Sequence, residues 1–135
     1  MTLNPIALYV GGTTVSSSVK SLKFNEKPLT NALDVINRLE PVEYDQTKDL
    51  TDSNTADTPQ SHQCGVNAQS VQQIDKLKYA VVGGEIGEDV VESVSYVNYN
   101  VIFTHGMRAI QELSQLVKTQ QMQIDELQKQ LRTTC

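Results

Sequence analysis

Tryptophan is absent from this chain and phenylalanine occurs only twice, which leaves five tyrosines as most of its aromatic surface. A core short of large rings buries little apolar area, and such a domain leans on assembly. The two cysteines, Cys64 in a polar stretch and Cys135 at the end, make no disulfide framework and read as free thiols of a reducing compartment. His62 lies near Cys64, but a zinc site needs about four ligands. No partner cluster exists to complete one, so no metal is expected.

Basic charge is thin as well. Eleven lysines and arginines are scattered among sixteen acids for a net charge of −5, which leaves no basic stripe and argues against a nucleic-acid partner. No apolar run approaches a membrane span, and the N-terminus lacks the basic and apolar order of a signal peptide. A soluble protein made in the cytoplasm, without a membrane partner, is the expectation. Gly83, Gly84 and Gly87 have no Gly-Lys-Ser/Thr after them, so nucleotide binding is not indicated and no cofactor is expected.

At 135 residues the chain fits one small domain plus a helical extension. Ile6 to Val10, followed by Gly11-Gly12 and a Thr/Ser run, predicts a short strand, a turn and an exposed connector, the end of an upstream unit in a longer parent chain. Leu29, Leu33, Ile36 and Leu39 recur at helical spacing and Pro41 closes the segment, which predicts a helix over 28–39. Val42 to Asp45 alternates like a half-buried strand. The polar stretch 46–63 has no apolar period and reads as a loop. Its length alone motivates the idea that it embraces a neighbouring chain.

Gly65 to Ala68 reads as a short strand leading into a helix over 69–78, with Val71, Ile74 and Leu77 inward. Residues 80–82 and 90–99, rich in β-branched and aromatic side chains, predict strands joined by a Gly-rich turn. His105 and Met107 read as structural.

The strongest pattern is last. Ile110, Leu113, Val117, Gln120, Ile124, Leu127 and Leu131 alternate steps of three and four over three heptads, within a helix predicted from about Val101 to Leu131. Gln120 is a polar core position of the kind that fixes register. The e and g positions (Ser114, Leu116, Gln121, Gln123, Gln128, Gln130) carry no charge code for a different partner. Self-association is the simplest reading, with the number of helices left open, and an ordinary surface helix lying along its own domain is the alternative.

Ser16 to Lys23 gathers hydroxyls and two amines, a pattern equally suited to an inert connector. A serine needs a base to attack, and a lysine serves when burial disfavours its charged form. A resemblance gives this stretch its meaning. Ser18-Val19-Lys20-Ser21-Leu22-Lys23, then Ala32 through Asp45, then Gly65-Val66-Asn67-Ala68-Gln69, then Val94-Ser95-Tyr96, then Ala109-Ile110-Gln111-Glu112-Leu113 stand in the order of one family. The chain resembles the intramolecular chaperone auto-processing domain, or peptidase S74 domain, found at the C-termini of phage tail spikes, tail fibres and neck appendages.

The resemblance implies an α+β fold, a small mixed helix/strand domain followed by a long C-terminal helix forming a homotrimeric coiled coil. Residues 1–17 would end an upstream fibre or appendage chain, 18–100 would be the chaperone body, and 101–135 the trimerisation helix. It implies an enzyme acting once on itself: Ser18 as nucleophile, Lys23 as general base, and the Ser17–Ser18 bond as the cleavage junction. Its partners would be two further copies and the upstream β-rich domain. It would act in the host cytoplasm during virion assembly and be absent from the mature virion once cleaved. Two positions depart from the family's habit, Ser70 after Ala68-Gln69 and Val19 after Ser18, where acidic residues are common. A structural trimerisation module retained uncut in a fibre is the alternative function. A third reading, by way of transcription factors that trimerise through this domain and shed a membrane anchor, finds no basic or membrane-spanning segment here.

Overall fold

A computed structural model describes residues 7–10, 13–16, 18–46, 61–83 and 95–134. The order is β1 (Ala7–Val10), β2 (Thr13–Ser16), a 3-10 turn Lys20–Leu22, α1 (Ala32–Asn37), β3 (Val42–Gln46), β4 (Ser61–Gly65), α2 (Ala68–Gln72), a 3-10 helix Asp75–Ala80, β5 (Val81–Gly83), β6 (Ser95–Val97) and α3 (Tyr99–Thr133). The fold is therefore a small mixed α/β body with a long C-terminal helix. Among the described residues the strands form three antiparallel pairs, β1 with β2, β3 with β4 and β5 with β6.

The core is small and one row of side chains dominates it. Val71, Ile74, Leu77 and Ala80 are buried and meet Val35 of α1, with Leu39, Val66, Val81, Val97, Val101 and Ile102 packed around them. Val71, Ile74 and Leu77 were expected inward, but not on one α-helix over 69–78. The α-helix ends at Gln72 and the row continues on a 3-10 helix. Steps of three suit that geometry, because at 3.0 residues per turn positions i and i+3 eclipse, whereas an α-helix drifts off such a row.

Other expectations are corrected. The helix predicted over 28–39 is shorter, Ala32–Asn37, and turns Ala32 and Val35 fully inward while Leu33, Ile36 and Leu39 are half-buried. The start is set by Asn31, whose φ of 59° is left-handed, a conformation asparagine tolerates and a helix does not continue. Residues 42–46 form a strand exposed along its whole length rather than half-buried. Both ends of the proposed 46–63 loop are strand, since Gln46 pairs with Ser61, Asp45 with His62 and Tyr44 with Gln63; residues 47–60 lie outside the described ones. β4 ends at Gly65, so the strand predicted from there to Ala68 is not formed. Of the strand predicted over 90–99, residues 95–97 are strand, Tyr99 is already helical, and 90–94 lie outside the described residues, as does the turn. Thr13–Ser16, expected as connector, is a second strand.

α3 begins where Asn98 caps it, the Asn100 amide donating to Asn98 Oδ1 at 3.1 Å. Asn98 is itself tied to the core, its amide donating to Ala80 O at 2.7 Å. Tyr99 then lays its ring across β4: the Val66 amide donates to its hydroxyl at 3.1 Å. A side chain at Gly65 would collide with that hydroxyl, which gives the glycine a steric reason. His105 and Ala109, 2% and 4% exposed, bury the next turns against the body, and Met107 points outward. From Leu113 onward every described residue of α3 is exposed. The helix spans 35 residues, roughly 50 Å at 1.5 Å per residue.

Candidate functional site

Ser18 and Lys23 meet. Five residues of extended chain would separate them by roughly 17 Å, but the Leu22 amide donates to Val19 O at 3.1 Å and the Lys23 amide to Lys20 O at 3.0 Å, which winds the interval into a 3-10 turn. Lys23 Nζ then donates to Ser18 Oγ at 2.9 Å, within reach for proton transfer between a hydroxyl and an amine. Both residues are open to water, and around them Val19, Leu22 and Phe24 are exposed, Phe24 to 84%. Ser17, the other half of the expected junction, lies outside the described residues.

The expected association stripe is on one helix and uncovered. Ile110, Leu113, Val117, Ile124, Leu127 and Leu131 are all exposed in the single chain, as is Gln120 among them. The exterior is held by pairs one turn apart, Gln121 Nε2 donating to Asp125 at 2.8 Å and Gln130 Nε2 to Glu126 at 3.3 Å. The stripe and the Ser18–Lys23 pair share no residue.

What joins helix to body at this level is Glu112, a residue whose role the sequence reading left unassigned. Asn31 offers no side-chain cap to α1. The carboxylate of Glu112, reaching over from α3, accepts the Leu33 amide at 2.8 Å and the Ala32 amide at 3.3 Å. Arg108, one turn earlier, brings Nε to 3.4 Å from the same carboxylate. These contacts, the Leu33 amide foremost, hold the Glu112 carboxyl below its ordinary range, against a smaller opposing effect of its partial burial. The signal in the sequence was the Gln111-Glu112-Leu113 segment already counted toward the resemblance.

Near β4, His62 Nδ1 and Asp45 Oδ1 pair at 2.9 Å across the strands, and Cys64 is exposed. Among the described residues there is no group of three or more potential metal ligands, and no helix long and apolar enough to cross a membrane.

No curated protein matches the chain as a relative. A family model does: residues 20–82 match Peptidase S74, described as chaperone of endosialidase. The match takes in Lys23, α1, the β3–β4 pair and the core row, begins two residues after Ser18 and ends before α3. Over that stretch the chain is similar to the Peptidase S74 family, a likeness that suggests a chaperone role and implies serine-peptidase-like self-processing.

Proposed function

We propose that this chain is an intramolecular chaperone that assembles as a homotrimer through α3, templates the folding of an upstream β-rich phage fibre, spike or neck appendage, and then releases itself by cleaving Ser17–Ser18. The observation that carries the chemical half is the 2.9 Å contact between Lys23 Nζ and Ser18 Oγ, the two residues to which the resemblance points. The uncovered aliphatic stripe of α3 supports the assembly half.

The reaction balances with water alone. Ser18 Oγ adds to the Ser17 carbonyl carbon while Lys23, acting as general base, takes the hydroxyl proton. The Ser17–Ser18 C–N bond breaks, the proton goes to the departing Ser18 nitrogen, and an ester joins the Ser17 acyl group to Ser18 Oγ. Water hydrolyses that ester to a Ser17 carboxylate and restores the Ser18 hydroxyl. Nucleophile and target are covalent neighbours, so proximity replaces substrate binding and each chain reacts once. Action in the host cytoplasm during virion assembly, and loss of the domain from the finished fibre, belong to the same proposal.

Intact mass after expression tests it. The wild type should yield a fragment beginning at Ser18; Ser18→Ala should abolish it, and Lys23→Met should slow it by about a hundredfold or more. A wild type that stays full length while sedimenting as a trimer would refute the protease half and leave the retained structural module.

A further inference from the structure

We propose that the self-association surface does not end at Ile110 but continues into the body, where an apolar groove beside the first turns of α3 receives the α3 of a second copy. This rests on the association argued above and adds to it a place and a set of contacts.

The groove is about 570 Å³ and is lined by Ile36 of α1, Leu39 just past it, Val66 after β4, and Ile102, Phe103 and Met107 of α3. Counting back from Ile110 by the steps of the stripe gives Gly106 at d and Phe103 at a, so the helical wall of the groove is in phase with the coiled-coil seam. Phe103 is 66% exposed, and Met107 and Ile110 are exposed beside it. A phenylalanine left in water one heptad before an aliphatic seam, and on the same helical face, is what a seam that carries on would show.

Gly106 points the same way. Glycine is the least favoured residue of a helix interior after proline, and a Cβ built here meets nothing within 4 Å. Among the described residues nothing therefore calls for glycine here, whereas at Gly65 the Tyr99 hydroxyl does. A neighbouring helix aligned along α3 would supply the reason. Helical side chains lean toward the helix N-terminus, so a neighbour's Met107 and Ile110 are the groups that reach the hollow over Gly106.

The occupant is a second copy rather than an unrelated protein. One wall of the groove is the same helix that bears the seam, so a copy aligned on Leu113 and Val117 runs past Gly106 and Phe103 without a change of direction. The added heptad also carries the pairing beyond three heptads, near the lower limit for a sustained coiled coil.

Sedimentation of the full chain as a function of concentration tests this, with thermal unfolding to show that the body is folded. Phe103→Asp should weaken association at least tenfold while leaving the body's transition in place. Gly106→Leu, whose Cβ meets nothing within 4 Å, should weaken association by a similar factor by filling the space a neighbour uses. The groove proposal is overturned if both variants associate as the wild type does while Leu127→Asp dissociates, or if Gly106→Leu tightens association as an ordinary d-position leucine would. A wild type that is monomeric throughout removes the association reading itself, a distinct result. If Phe103→Asp spares association but impairs folding of an upstream fibre fused to the chain, the groove belongs to the fibre and this proposal is wrong.

Discussion

The two ends of α3 meet opposite fates. In its first turns His105 and Ala109 are buried by α1 and the core row, and Val101 and Ile102 are half-buried beside them. From Leu113 to Thr134 every residue is exposed, and Val117, Ile124, Leu127 and Leu131 stand in water. Periodicity announces that a face will be covered. It does not say by which chain, and here one helix is covered by its own body at one end and by nothing in the single chain at the other. An isolated helix in water is marginal without such cover, so the distal half stands to gain most from assembly.

The sharpest way to break this comparison is Leu127→Asp. A carboxylate at a core position would be withdrawn from water without a partner in every copy at once, a cost of several kcal/mol. The variant should sediment as a monomer at concentrations where the wild type is assembled, with the body's unfolding transition retained. An unchanged sedimentation profile would show that the distal stripe is not the assembly surface.

The mirror experiment is Leu77→Ala. Leu77 is fully buried in a core of few residues, and truncation of a buried leucine costs about 2–5 kcal/mol. For a body this small that is a large share of its stability. Near-ultraviolet circular dichroism should show loss of the body's packing, while far-ultraviolet helicity from the assembled distal α3 largely persists. Loss of both signals in one transition would mean that the two ends of α3 fold as one unit.

The same contrast explains what could be seen in advance. The distal stripe was legible because seven positions in unbroken heptad steps leave little choice of structure. The inward face of Val71, Ile74 and Leu77 was legible from spacing, although its uniform step of three, carried on to Ala80, was the unheeded sign of a 3-10 helix. β4 was hidden because Ser61-His62-Gln63-Cys64-Gly65 has no apolar alternation; it lies mostly exposed and is held by backbone pairing with β3. The Ser18–Lys23 pair could be located only by resemblance, since five residues of chain do not by themselves predict the turn that brings the two side chains together. Glu112 was out of reach for a different reason. Its partners, the amides of Ala32 and Leu33, lie some eighty positions away, and no local pattern encodes a carboxylate that caps someone else's helix.

Glu112 sits at the boundary between the two regimes, one residue before the exposed half begins, and gives the smallest of the expected effects. Its carboxyl is held below the ordinary carboxylate range in the folded chain, chiefly by the Leu33 amide. A group with a depressed folded-state pKa contributes stability that is present above its unfolded value, about 4.3 for glutamate, and is lost as pH falls through the folded one. Glu112→Gln should therefore lower the body's melting temperature by a few degrees at neutral pH, with the gap to wild type constant down to the ordinary carboxylate range and closing on further acidification. Asp75 is also held low, by its Lys78 partner, but it titrates alike in both proteins and drops out of the difference. A gap that stays flat through acid pH would mean that the charge of the Glu112 carboxylate contributes nothing to the body's stability. The seat of α1 on α3 would then rest on packing around Ala109 rather than on charge.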